Sequence, residues 1–536
     1  MALLAALTRS IDKRGFTAFL PLWIFIGIVI ASILAVQPRV PSDILTKAAY
    51  WGLLLLGAAL AFDLMSDEKW QARVISAIAF SAALVAALGL LQYIGFRACD
   101  LLFPVFPGYT QRVYSVFGNQ DLYGGYLVLG LPLLIHRVSD SRMRPRDWLP
   151  LLGFAVVIPG ILISGSRSAW LAAGLGTAFS VCMSRRSGLP QCPRPETRNP
   201  KPAIAGLAAL LVAITLWLAP SATLDRVFAT FTTEDRGAHA RLWMWEGTLY
   251  MLRDAPILGV GLNNYGYWSP RYLGESAQGP RCNAQVQTEF YADQPHSEPL
   301  RLLAETGLIG AGCWFWMAAR IIRVSGLGSR VPGFAKSLPV TRNPKPDTRY
   351  PILGALLGFF VFALFNGPFD SVAHTFVGLL LAAMLLARAR EAPMPPSPSL
   401  SLVAPILAAV LGGFLLLTVH VPSYLLRAAE NAHLSAQADV SPYARAVSYP
   451  WPNFTAHKER GLALAEVGRN EEARQELLKA LEGLDTGDIY LALAMLAAQS
   501  GDRQATLRWA AECLFRWPGN PDAMRLAEMR PAPGSR

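Results

Sequence analysis

The chain is divided by long apolar runs that carry almost no charge, and this pattern decides its fold class before any motif is read. A helix needs about 20 apolar residues to cross the hydrocarbon core of a bilayer, where only helices and closed barrels satisfy their own backbone polar groups. Candidate spans fall at 16–36, 44–63, 74–95, 121–136, 148–164, 168–184, 203–221, 301–319, 351–367, 371–387 and 402–421. The expected architecture is all-α, a polytopic membrane helix bundle of about eleven or twelve spans followed by a helical-repeat domain. With 53% hydrophobic and only 16% charged residues among 536, an ordinary soluble enzyme is excluded. The first run follows Arg9, Lys13 and Arg14 and is too long for the core of a cleaved signal peptide, so it reads as a retained signal anchor.

Lysine and arginine resist translocation, and their distribution over alternate connections orients the bundle. The N-terminus and the connections at 65–73, 137–147, 185–201, 320–349 and 387–400 together hold 23, whereas the short connections on the other face hold four: Arg39, Arg97, Arg112 and Arg167. The N-terminus is therefore expected in the cytoplasm. Parity then puts 97–120, the 164–168 turn, the 222–300 connection and everything after 421 outside. The same basic loops account for the net charge of +11, so no nucleic-acid partner is expected.

The hexapeptide T-R-N-P-K-P occurs at Thr197–Pro202 and again at Thr341–Pro346, as a Pro-rich basic linker without evident chemistry. Six cysteines form no C-x-x-C pair, which suggests neither a zinc site nor a disulfide scaffold. Cys99 and Cys282 can pair only if both face an oxidising compartment.

Four regions follow: membrane helices over 1–221, an outside loop with interfacial helices over 222–300, further membrane helices over 301–421, and a soluble domain over 422–536. In the last, Trp451-Pro452 recurs 66 residues later as Trp517-Pro518, and Gly468 recurs 33 residues later as Gly501. With apolar residues at helical spacing around Leu464, Ala473 and Leu477, the tail resembles tetratricopeptide repeats, with 424–447 supplying a partial cap.

An active centre must gather its groups on one side of the bilayer, so the outside positions are the informative ones. The turn Ser164-Gly165-Ser166-Arg167-Ser168 puts a guanidinium at the outer surface. Leu242, Trp245, Leu249 and Leu252 recur at helical spacing, predicting an interfacial helix over 239–253 with Arg241 in its early turns. The 222–300 connection ends in Gln294-Pro295-His296-Ser297-Glu298-Pro299, a helix start; an imidazole at a helix N-terminus meets a positive dipole end that favours its neutral, proton-accepting form. Each feature has a plainer reading, as a snorkelling arginine, an amphipathic helix on headgroups or a structural histidine.

In order, F-G-N-Q-D-L-Y-G-G-Y (Phe117 to Tyr126), S-R-S-A-W (Ser166 to Trp170), R-L-W-M-W (Arg241 to Trp245), P-I-L-G-V-G-L-N-N-Y (Pro256 to Tyr265) and H-S-E-P-L-R-L-L-A-E-T-G-L-I-G (His296 to Gly310) resemble the O-antigen ligase and polymerase superfamily of bacterial envelope glycosyltransferases. The resemblance covers about residues 16–390. It implies a multi-pass enzyme of the inner membrane that transfers a glycan at the periplasmic face, from a polyprenyl-diphosphate carrier to a lipid, glycan or protein hydroxyl, without metal or cofactor. It further implies His296 as the catalytic base, Arg167 and Arg241 as diphosphate ligands, and Asn119, Asn263 and Glu305 in support. Two positions depart from the family pattern: Gln120-Asp121 follows Gly118-Asn119 where Pro-Asn is usual, and Ser297 follows the histidine where Asn is usual.

The chemistry fits the residue types. Guanidinium groups bind a departing diphosphate in a bidentate way, and a neutral imidazole takes the acceptor's proton. No D-x-D, Walker A or dinucleotide fingerprint is present. Ligation to a lipid core, polymerisation and transfer to protein share this logic, and the tail is expected to recruit a protein partner. The rival classes are a transporter, disfavoured because the spans lack mid-membrane ionisable groups, and an assembly scaffold, which leaves the ordered Arg, Arg and His unexplained.

Overall fold

The protein is described from a computed structural model that covers residues 13–36, 40–96, 113–140, 148–186, 236–277, 290–325, 348–388, 400–435 and 440–528. The 203–221 span, both T-R-N-P-K-P linkers, Cys99 and Cys282 lie outside the described residues. Among the described residues all regular structure is helical. An all-α polytopic membrane protein is the result, as the apolar pattern requires.

The first half comprises α1 (Lys13–Ala18), α2 (Leu20–Val36), α3 (Pro41–Leu64), α4 (Glu68–Tyr93), a 3-10 turn at Ser115–Phe117, α5 (Gln120–Asp140), α6 (Trp148–Ile163) and α7 (Arg167–Arg186). After α8 (Arg236–Asp254) and α9 (Tyr265–Ala277) come α10 (Glu298–Val324), α11 (Arg349–Ala363), α12 (Val372–Arg388) and α13 (Leu400–Leu415). Four described helical stretches are long and apolar enough to cross a membrane: Pro41–Phe62, Glu68–Tyr93, Glu298–Val324 and Ala408–His433. Shorter apolar helices, among them Leu149–Ile163, Arg349–Ala363 and Val372–Arg388, pack into the same core, through residues such as Val157, Phe362 and Met384.

Small residues set the closest approaches, as expected where helices pack without a hydrophobic drive between them. A Cβ on Gly358 of α11 would come within 3.0 Å of the Ala172 carbonyl of α7, and one on Gly354 within 2.8 Å of Ser180. That contact fixes α7, and with it Arg167 at its first turn.

Helix α10 is broken. Gly307 (φ 63°, ψ −168°) leaves the helical region, and the backbone it frees pairs with the 256–261 segment: Leu308 N donates to Pro256 O at 2.9 Å, while Val260 N and Gly261 N donate to Ala304 O and Glu305 O at 2.9 Å. The helix begins at Glu298, at the start read from Ser297, Glu298 and Pro299, and the apolar run 301–319 lies inside it.

At the other end the helical run that begins with α13 continues past 421. A π-helical turn, Leu416–His420, carries it into α14 (Val421–Ser435), which α15 (Tyr443–Val447) follows. Ala429, Val440 and Tyr443 from this stretch share a core with Leu464, Leu477 and Leu493. The remaining helices are α16 (Phe454–Glu466), α17 (Asn470–Ala480), α18 (Gly487–Gln499), α19 (Arg503–Arg516) and α20 (Pro521–Ala527). Gly468 and Gly501, both at φ 77°, close α16 and α18 with left-handed turns that bring the next helix back.

Candidate active site

His296 sits in an irregular segment, 290–297, that leads into α10. Its backbone is left-handed (φ 51°), and Ser297 is extended before Glu298 and Pro299 start the helix. Two side chains hold the segment from outside: Ser269 Oγ of α9 accepts Ala292 N at 3.1 Å, and Trp245 Nε1 of α8 donates to Pro295 O at 2.9 Å. Helix α8 therefore brings Arg241, one turn before Trp245, toward the imidazole. The His296 side chain is held below its ordinary pKa of 6.5 by burial first and by the Arg241 charge second; Asp121 and Asp293 pull the other way. The imidazole is neutral near pH 7.

Helix α8 buries Met244, Thr248 and Met251, whereas Leu242 and Leu249 of the apolar stripe read from sequence are exposed. The inward face is fixed by polar and close contacts instead. Thr248 Oγ1 bonds the Tyr265 hydroxyl at 2.9 Å, and Trp243 Nε1 donates to Leu273 O at 3.1 Å.

Arg167 opens α7 after the turn at Gly165 (φ 65°). Its neighbours are tied down: Ser166 Oγ and Ser168 Oγ lie 3.0 Å apart, and Asn366 Nδ2 donates to Ser168 Oγ at 2.6 Å. Asn366 belongs to the turn after α11. The adjacent Phe365 ring lies 6.3 Å from Trp245, and the Gln294 side chain occupies the space where Gly367 would carry a Cβ. The 365–367 turn thus touches the Arg167 turn on one side and the His296 segment on the other.

Asn119 is exposed and caps α5, its Oδ1 accepting Asp121 N at 2.8 Å and Leu122 N at 3.2 Å. The cap aims the first turn of α5, whose Asp121 carboxylate faces His296. Asp121 was visible in the sequence only as a departure from the family pattern; here it is, with Asp293, an acidic group that opposes Arg241.

Glu305 and Asn263 belong to a neighbouring cluster. Glu305 is buried in α10, facing the Asn263 backbone N–H and Arg301, and the Asn263 side chain bonds Asp43. Asn264, next in sequence, is buried and bonds Val40 in both directions, accepting from its N at 2.9 Å and donating to its O at 3.2 Å, which anchors the loop to the start of α3.

The centre of that cluster escaped sequence reasoning. Arg301 is only 5% exposed and grips Glu298 with two nitrogens, Nε to Oε2 at 3.1 Å and Nη2 to Oε1 at 3.0 Å, while its Nη1 donates to Asp370 Oδ2 at 2.5 Å. Lys47 closes on Asp370 from α3, and Phe369 N donates to Glu298 Oε1 at 3.0 Å. Burial pushes the Asp370 carboxyl up, but Arg301 and Lys47 outweigh it and hold the group at about 2. These charges come from α3, α10 and the turn before α12, and no short motif records that they meet. His374 is fully buried, its Nδ1 on Ser371 Oγ (2.7 Å) and its Nε2 on Leu122 O (2.9 Å), so it ties α12 to α5. Among the described residues, no three His, Cys, Asp or Glu side chains are grouped so as to hold a metal ion.

Residues 152–315 match the family described as O-Antigen ligase, and the matched stretch contains Arg167, Arg241, Asn263, His296 and Glu305. No curated protein matches the chain significantly.

Proposed function

We propose that this chain, which carries an O-antigen ligase domain over residues 152–315, moves a glycan from a polyprenyl-diphosphate carrier to an acceptor hydroxyl at the periplasmic face of the inner membrane. The observation that supports this most is the neutral His296 held within the field of Arg241. A proton acceptor beside a fixed positive charge is what the reaction needs. The acceptor oxygen attacks the anomeric carbon as the bond from that carbon to the diphosphate oxygen breaks. The acceptor proton passes to His296, the diphosphate leaves on its lipid, and the anomeric centre inverts. Arg241 and Arg167 stabilise the charge that accumulates on the departing diphosphate, each as a planar fork that a metal-independent site requires. Asn119 supports the site by aiming α5, whereas Glu305 and Asn263 support it at one remove, by holding α10 and the 256–263 loop in register.

The basic connections on one face support a cytoplasmic N-terminus and a periplasmic site and tail. The paired helices α16–α17 and α18–α19, with their 33-residue glycine offset, support a tetratricopeptide-like reading of the tail and hence a protein contact there. Ligation, polymerisation and protein glycosylation differ only in the acceptor. Purified protein in lipid, supplied with a polyprenyl-diphosphate glycan, should release polyprenyl diphosphate when an acceptor is added. His296→Ala should abolish release while still accumulating as folded protein. Full transfer by that variant excludes the base role, and no release by the wild type with any acceptor class excludes the transferase.

A further inference from the structure

The C-terminal helices do not hang free of the site. Phe290 N, at the start of the His296 segment, donates to the Arg516 carbonyl at the end of α19, at 2.7 Å. One helix over, Gly274 of α9 is buried against Phe515: a Cβ there would lie 3.1 Å from the Phe515 carbonyl oxygen and 3.2 Å from its ring. Helix α9 passes the contact on to α8, since a Cβ on Gly247 would lie 3.0 Å from the Leu273 side chain and 3.2 Å from Tyr272 O. The Phe290 ring, itself buried, meets Trp243 of α8 edge-on at 5.1 Å.

The tail's side of this junction is rigid. Arg516 is 8% exposed, with Nε on Asp485 Oδ1 (2.9 Å), Nη2 on Asp485 Oδ2 (3.1 Å) and Nη1 on Glu512 (2.7 Å), and its guanidinium lies over the Tyr490 ring at 4.2 Å. Such a side chain fixes the backbone that carries it, and so fixes the carbonyl offered to Phe290. The segment from 290 to 296 is then held at three points: by the tail at Phe290, by α9 at Ala292 and by α8 at Pro295.

We propose that α19 clamps the His296 segment and the α8–α9 pair, making Phe515 and Arg516 positioning residues of the transfer site and the tail a structural part of the catalytic unit. This rests on the transferase reading given above. It follows that the tail contributes to turnover even with no protein bound to it, because misplacing a reacting group by about 1 Å costs on the order of a hundredfold in rate.

The test uses the full chain in lipid. Phe515→Ala and Gly274→Leu should lower kcat by on the order of tenfold or more while leaving donor KM unchanged, and Phe515→Tyr, which keeps the ring, should restore kcat. In both damaged variants the Phe290 amide should exchange hydrogen faster than in the wild type. If Phe515→Ala does not accumulate, Gly274→Ala gives a graded version, since one methyl asks Phe515 to yield by only a fraction of an ångström. Faster exchange at Phe290 with unchanged kcat overturns the positioning role. An unprotected Phe290 amide in the wild type overturns the contact itself. A wild type that transfers nothing refutes the transferase reading, while the exchange measurement still scores the clamp.

Discussion

Arg241 lies close enough to His296 for its charge to add to burial in keeping the imidazole neutral, with Asp121 and Asp293 opposing it. The folded pKa is below 6.5, so the proton-accepting form is present above that folded value and disappears as pH falls through it. Transfer should therefore fall off in acid with a midpoint below 6.5. Removing Arg241 (Arg241→Gln) removes a lowering influence and should move this midpoint to higher pH; Asp121→Asn removes a raising influence and should move it lower. Rate profiles from about pH 4 to 8 check both signs. Midpoints that move together, or not at all, contradict the proposed base.

Arg241→Lys separates charge from shape. The ammonium preserves the field at His296, so the acid midpoint should stay near that of the wild type. A point charge cannot reproduce a forked contact with diphosphate, so kcat should fall by on the order of a hundredfold. Arg167→Lys should show the same loss, with no effect on the midpoint. Steady-state rates on a lipid-linked glycan decide the matter, and wild-type turnover by either lysine variant removes that arginine from the diphosphate site.

How much of this was legible in the sequence depends on the range of each interaction. The start of α5 is local, since Asn119 caps the helix that begins at Gln120, and the apolar blocks mark the bundle because burial in lipid acts on each segment separately. The start of α10 is local too, since Ser297, Glu298 and Pro299 mark it, but the charges it carries are not: Glu298 pairs with Arg301, and Asp370 with Arg301 and Lys47. Asp370 lies 69 residues from Arg301, and no periodicity links them. The last membrane helix differs: Arg427 and Glu430 lower the apolar signal beyond 421, but the backbone continues helical to Ser435. The clamp at Phe290 was illegible for a further reason, because its acceptor is a main-chain carbonyl that every residue carries.

The Arg301 cluster should dominate stability. Removing one partner of a buried ion pair costs about 3–5 kcal/mol; Arg301→Ala leaves Glu298 buried without a charge partner, Lys47 remaining on Asp370, so it should strongly lower the Tm of the purified protein. Arg253 offers a control, since it pairs with Asp254 at 2.8 Å and Glu275 at 3.1 Å but is 55% exposed. Arg253→Ala should leave Tm almost unchanged, because solvent screens an exposed pair. Equal shifts in Tm for the two variants would show that the α10 cluster is hydrated like the surface pair.

Gly307 makes the sharpest local demand on residue type. Its φ of 63° with ψ of −168° is a region that essentially only glycine occupies, and a Cβ there would overlap the Ile257 carbonyl and crowd Leu258 N. Forcing a side chain into such a conformation costs about 1–3 kcal/mol from backbone strain alone. The displaced Ile257 would also loosen the Leu308 N to Pro256 O bond, on which the register of the 256–261 loop depends. Gly307→Ala should therefore lower both Tm and transfer activity. Gly312, five residues on in the same helix, is surrounded by open space, so Gly312→Ala should be neutral or stabilising by about 0.4–1 kcal/mol through a less flexible unfolded chain. Thermal unfolding of the two variants side by side tests the break in α10: if Gly307→Ala melts no lower than Gly312→Ala, the helix runs straight through that position.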